Sequence, residues 1–130
     1  MIVGHGVDIC TISRFQESIG SVYGQKFIDT IFTKEEQAEA AGLMKPAAFY
    51  AKRYAAKEAF VKALGTGFVD VVPTDITVKN YDNGMPILVL KNQALTKLIL
   101  LVGKDKTYNI QLSISDEKDL AIASVIIESV

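Results

Sequence analysis

Residues 47–64 read AAFYAKRYAAKEAFVKAL, an unbroken run of helix-forming residues that Gly65-Thr66-Gly67 closes. At 100° per residue, Tyr50, Tyr54, Glu58, Val61 and Lys62 share one broad face, while Phe49, Arg53, Phe60 and Leu64 share another. A helix apolar on more than one side is a buried helix. This one also carries Lys52, Arg53, Lys57, Glu58 and Lys62. Charge on a buried helix is costly unless it is paired, hydrogen-bonded or bound to a metal. That conflict marks the segment as the place to look for a site. Glu58 and Lys62, at i and i+4, read equally as an ordinary helix pair worth about 0.2–0.5 kcal/mol.

Working back toward the N-terminus, Gly42 and Pro46 separate this helix from an earlier one, whose start is marked by a capping box of Thr33 and Glu36. Before that, Ile12, Phe15, Ile19 and Val22 stand at helical spacing, in a helix beginning near Thr11. Ile2 to Ile9 is apolar and β-branched and reads as a strand. Its alternation puts Gly4, Gly6 and Asp8 on one face with Ile2, and Val3, His5, Val7 and Ile9 on the other. Two glycines in line with a carboxylate allow something to approach that backbone closely.

Working forward, Ile76 to Tyr81 and Ile87 to Leu90 flank Asp82-Asn83-Gly84 and read as a hairpin. Asn92 to Val102 reads as a helix that Gly103 ends. Tyr108 to Ser115 alternates as a strand, and Leu120 to Glu128 follows the polar turn Asp116 to Asp119. Helices fill the first half and antiparallel strands the second, which predicts an α+β fold in one domain over residues 1–130.

Fourteen basic against fifteen acidic side chains leave a net charge of −1, which gives no footprint for nucleic acid. No apolar stretch is long enough to span a bilayer, and the N-terminus has no secretory pattern. Cys10 is the only cysteine, so the expectation is a reduced, cytoplasmic setting. His5 is the only histidine and faces away from Asp8, which leaves no histidine triad or zinc cluster. Cys10 has no evident histidine partner and reads as a small buried hydrophobe. Gly65-Thr66-Gly67 lacks the Lys-Ser/Thr of a Walker loop, and either presents amides to a ligand or caps the helix. Asp8 and Glu58, with several cations beside them, suit a magnesium–phosphate site, because magnesium takes one or two protein carboxylates and fills its shell with water and phosphate. Both arginines of the chain, Arg14 and Arg53, lie near these carboxylates in sequence.

Gly4-His5-Gly6-Val7-Asp8-Ile9 with Ile12-Ser13-Arg14-Phe15 resembles the N-terminal motif of the holo-acyl-carrier-protein synthases. The run Phe49 to Gly67, with Lys57-Glu58-Ala59 and Lys62 at its centre, resembles that family's signature helix. The likeness extends through Asp82-Asn83-Gly84-Met85-Pro86 to the ending Ala121 to Ser129. It implies a 4′-phosphopantetheinyl transferase fold and transfer of the phosphopantetheine arm of coenzyme A to a serine of apo-acyl carrier protein, giving 3′,5′-ADP. By position it implies that Asp8 and Glu58 ligate magnesium and that Glu58 and Lys62 are catalytic. Lys62, Arg53 and Gly65, Thr66 and Gly67 would seat coenzyme A, and Arg14 would face the acidic carrier protein. It further implies a homotrimer with active sites at subunit interfaces. One departure from the family's pattern is Gln111, where a histidine often stands; glutamine carries no charge and shuttles no proton, so it is assigned no catalytic role. Two rival readings use the same residues: a metal-dependent nucleotide hydrolase, and a coenzyme A-binding module without turnover.

Overall fold

The computed structural model describes all residues from Met1 to Val130. Strand β1 (Ile2–Thr11) leads into three short helices, α1 (Ile12–Gly20), α2 (Gly24–Ile31) and α3 (Lys34–Ala40). The long helix α4 (Ala47–Leu64) follows. Then come a 3₁₀ turn (Pro73–Asp75), β2 (Ile76–Asn80), β3 (Pro86–Leu90), α5 (Asn92–Val102), β4 (Tyr108–Glu117) and β5 (Leu120–Ser129). This is the α+β architecture that the sequence predicts.

β5 pairs antiparallel with both β1 and β4, so the chain's two ends close one three-stranded sheet, β1-β5-β4; β2 and β3 form a separate hairpin. Alternation along β5 sends Ala121, Ala123, Val125 and Ile127 into the core beneath α4. On β1 the inward positions are Gly4, Gly6 and Asp8, and a register shift between Ile2 and Gly4 leaves Ile2 outside, 61% exposed.

The glycines are a steric requirement. A Cβ on Gly4 would stand 2.3 Å from the carbonyl oxygen of Ala63, and one on Gly6 2.0 Å from that of Ala59. Helix α4 thus packs with its backbone nearly touching β1, and its alanines at 55, 56, 59 and 63 are buried. The close approach expected at Gly4 and Gly6 is made by the protein's own helix.

α4 separates two apolar clusters. One joins Phe60, Val61 and Leu64 to the sheet, α5 and the β2–β3 hairpin; the other joins Tyr50 and Ala51 to Phe15, Ile28, Ile31 and Phe32 of the short helices. Burial on both sides is what its sequence demands. Its interior charge is Lys57, wholly buried. The ammonium donates to Glu36 Oε1 at 2.7 Å, to the Ile31 carbonyl at 2.7 Å and to the Pro73 carbonyl at 3.1 Å. Glu36 Oε2 accepts the Val78 amide at 3.0 Å, and Oε1 also closes the capping box on the Thr33 amide. Removing one partner of such a buried pair costs about 3–5 kcal/mol, because the other charge is stranded.

Some elements differ from expectation. Helix α1 stops at Gly20, so Val22 lies outside it and is 93% exposed. Residues 24–31 form a helix of their own that brings Phe27 within 5.6 Å of Phe15. The β4–β5 strands run longer than the alternation suggested, into a tight turn at Lys118 and Asp119, with Lys118 at φ 55°. Asp119 then supplies the cap that Thr11 does not. Its carboxylate accepts from the Ser13 amide (2.9 Å) and hydroxyl (2.7 Å), and its carbonyl from the Ile12 amide (2.8 Å).

Replacing Gly6 by alanine forces α4 off β1, and overpacking of this kind costs about 1–3 kcal/mol. Urea unfolding of Gly6→Ala measures this directly; a loss under about 0.5 kcal/mol, the range of neutral surface changes, would show that the contact is not tight.

Candidate active site

The glycine-permitted crossing of β1 and α4 places Asp8, one step beyond Gly6 on the same face, beside the C-terminal half of α4. Lys62 reaches across, its ammonium donating to Asp8 Oδ1 at 3.0 Å and to the Val7 carbonyl at 3.1 Å. The Glu58–Lys62 helix pair allowed by spacing is therefore not formed. Glu58 Oε1 instead accepts the hydroxyl of Tyr54, one turn earlier, at 2.7 Å. Asp8, Tyr54 and Glu58 line one cleft together with Cys10, Thr11, Arg14 and Phe15. A larger groove between α2, α3 and β3 presents Asp29, Lys34, Gln37 and Lys91 and none of the expected site residues. The smaller cleft, with two carboxylates and an arginine converging, is the candidate.

Burial, then the hydrogen bond to Glu58 and the charges of Glu58 and Asp8, push the Tyr54 phenol well above its ordinary value, so it stays a donor at neutral pH. Burial and the charge of Asp8 push the Cys10 thiol up to about 11. Its Sγ donates to the Ala51 carbonyl at 3.2 Å. It is a packed thiol and not a nucleophile, as the sequence suggests.

The donor set fits magnesium. Two carboxylates, Asp8 and Glu58, line the cleft, and no three acidic, histidine or cysteine side chains are arranged to hold a metal by themselves. Magnesium commonly takes such a partial set, completing its octahedron with water and phosphate oxygens. The Lys62 ammonium on Asp8 shows that the carboxylate already attracts a cation.

The other expected residues are differently placed. Arg14 is exposed on α1 and lines the same cleft as Glu58. Gly65 takes φ 80° as the C-cap of α4, and the amides of Gly65, Thr66 and Gly67 turn back onto the carbonyls of Val61 and Lys62. The loop therefore caps the helix. It offers a ligand open space at Gly65 and Gly67, where a Cβ would meet nothing within 4 Å, more than free amides. Arg53 is on another side of α4. Its guanidinium lies 3.7 Å from the Phe49 ring centre and donates to Glu39 (3.2 Å) and Asn80 (3.0 Å), while its buried Nε has no partner. It lines a separate cleft with Lys52, Asn80, Gly84, Pro86 and Asp116. Gln111 shares a cross-strand row with Ile126 and His5, on the sheet face opposite Asp8.

Two features escaped the sequence reading. The helical spacing puts Tyr54 on the face of Glu58, and a tyrosine four residues before a glutamate is itself a signal for a hydroxyl–carboxylate bond. The thiol and hydroxyl of Cys10 and Thr11 join the cleft because β1 runs two residues beyond the predicted Ile9.

A family model described as the 4′-phosphopantetheinyl transferase superfamily matches residues 4–123. A holo-[acyl-carrier-protein] synthase of Beijerinckia indica is 45% identical over 131 residues, spanning 100% of this chain and 93% of that protein. The crystal structure of a holo-[acyl-carrier-protein] synthase from Neisseria meningitidis superimposes with a TM-score of 0.84 at 36% identity, over 98% of this chain and 99% of that one. A holo-(acyl-carrier-protein) synthase from Bacillus anthracis, in complex with CoA (3′,5′-ADP), gives 0.80 at 37% identity, over 100% and 99%.

Proposed function

The chain belongs to the 4′-phosphopantetheinyl transferase superfamily, and we propose that it transfers the 4′-phosphopantetheine arm of coenzyme A to a serine hydroxyl of apo-acyl carrier protein, with magnesium as cofactor. The observation that carries this reading is that Asp8 and Glu58 line one cleft with Arg14, while Lys62 is bonded to Asp8. The relatives' names support the substrate class, and the shared cleft supports the choice of residues.

In this reading the serine oxygen forms a bond to the β-phosphorus of coenzyme A while the bond to the leaving phosphate oxygen breaks, releasing 3′,5′-ADP. Such displacements depend mainly on alignment and charge stabilisation. Magnesium held by Asp8 and Glu58 supplies charge neutralisation at the pyrophosphate. Glu58 receives the hydroxyl proton, directly or through a water. Lys62, whose side chain is 51% exposed, has the reach to follow charge onto the leaving phosphate. Gly65 and Gly67 leave room for the nucleotide beside it. Arg14 presents a fork-shaped cation to an acidic carrier protein.

A homotrimer with sites at subunit interfaces belongs to the same proposal. The outer face of the β1-β5-β4 sheet is covered by no element of the chain, and it carries Val7, Ile9, Leu120 and Ile122 at 42–59% exposure. Association of copies there would give that apolar face a partner. Arg53, which faces a different cleft from Glu58, would then seat the nucleotide from a neighbouring copy.

Mass spectrometry of apo-acyl carrier protein incubated with the chain, coenzyme A and magnesium is the test. The expected result is a gain of one phosphopantetheine, abolished by chelator and by Glu58→Ala. No gain with several carrier proteins and a folded enzyme would favour the binding-module reading, and chelator-resistant transfer would remove the metal. Arg14→Glu is expected to raise KM for the carrier protein by roughly tenfold, the scale of a lost charge contact, with KM for coenzyme A little changed. Equal losses on both substrates would contradict a docking role.

A further inference from the structure

Resting on the metal reading above, we propose that Tyr54 is a positioning residue that biases Glu58 toward ligating a cation through its free oxygen, and thereby favours magnesium over calcium. The observation is the 2.7 Å bond from the Tyr54 hydroxyl to Glu58 Oε1. It is a short bond to a carboxylate, of the stronger charge-assisted kind. One lone pair of Oε1 is thus taken by a fixed donor, whereas Oε2 has no hydrogen-bond partner within the chain, Lys62 being engaged by Asp8 and Val7.

The phenol is held in place from behind. Its ring packs on Phe15 with centroids 5.4 Å apart and planes at 55°. Phe15 in turn is wedged against Phe27 at 5.6 Å and Phe32 at 6.5 Å. The hydroxyl cannot swing away from Glu58 without disturbing the aromatic cluster that joins α1 and α2 to α4. A fixed donor on one oxygen is the kind of outer partner that orients a metal-binding carboxylate.

The consequence for metal choice follows from coordination chemistry. Magnesium demands a near-ideal octahedron at about 2.0–2.1 Å, and a carboxylate giving one oxygen fits it. Calcium takes about six to eight oxygens and readily accepts both oxygens of a carboxylate. A Glu58 freed from Tyr54 gains the two-oxygen mode that suits the larger ion.

The test is calorimetric titration of magnesium and of calcium into the chain saturated with coenzyme A, with matching titrations into coenzyme A alone subtracted. Wild type, Tyr54→Phe and Glu58→Ala are compared. Tyr54→Phe removes one oxygen and keeps every ring contact, so its melting transition is expected to stay cooperative and to be lowered only by the lost hydrogen bond. Its magnesium affinity is expected to fall about tenfold or more, the usual effect of losing an outer partner, while calcium affinity holds or rises. Unchanged magnesium affinity in Tyr54→Phe, with binding lost in Glu58→Ala, overturns the inference alone. Equal weakening of both ions also overturns it, since selectivity would not have moved. Wild-type magnesium binding in Glu58→Ala overturns the metal reading and this inference with it.

Discussion

Helix α4 lies so close to β1 that a methyl group on residue 6 would meet the Ala59 carbonyl oxygen at 2.0 Å. The placement of Asp8 beside the C-terminal half of α4 depends on that approach. Asp8 is two residues along the strand from Gly6, and Glu58 and Lys62 flank Ala59 and Ala63 on the helix. A spacing set by side chains on both elements would put the carboxylates on opposite sides of a packed layer. Glycine on one element and alanine on the other brings the backbones together, and the charged groups at the edge of the contact meet across it.

The second constraint is the charge sealed inside. Lys57 follows the helix into the protein, and all three of its hydrogens are used: on Glu36, on the end of α2 and on the turn before β2. Glu36 adds a bond to β2 itself. The pair ties four segments to α4 one residue before Glu58. Burial lowers the lysine's proton affinity and the glutamate partly restores it. A buried ion pair gains little over apolar packing, so its structural meaning is specificity of arrangement: only one placement of α2, α3 and β2 satisfies every donor. The residues on either side of this pair thus sit on a helix whose rotation is fixed.

Much of this was legible in the sequence, where the signal is local. The helix at 47–64, the capping box, the β2–β3 hairpin and the alternation that aligns Gly4, Gly6 and Asp8 all rest on spacings within one element. What stayed hidden depends on partners far along the chain. Glu36 reads as the far half of a capping box, and nothing nearby says that Lys57 will take the same carboxylate. Lys62 reads as the i+4 partner of Glu58, yet the crossing offers it a nearer carboxylate on β1, 54 residues away. Asp119 reads as a turn residue and becomes the cap of α1. Arg53 likewise stands apart from the other expected site residues, because long-range partners commit its guanidinium to Glu39 and Asn80 on another side of α4.

In the proposed function, one crossing of helix and strand makes a single cation–pyrophosphate site. A crystal structure of the chain grown with magnesium and coenzyme A tests it most directly. The expected result is one magnesium ion between the carboxylates of Asp8 and Glu58, with the pyrophosphate on its open side and within reach of Lys62. A metal held without either carboxylate, or a pyrophosphate seated in the groove between α2, α3 and β3, would contradict it.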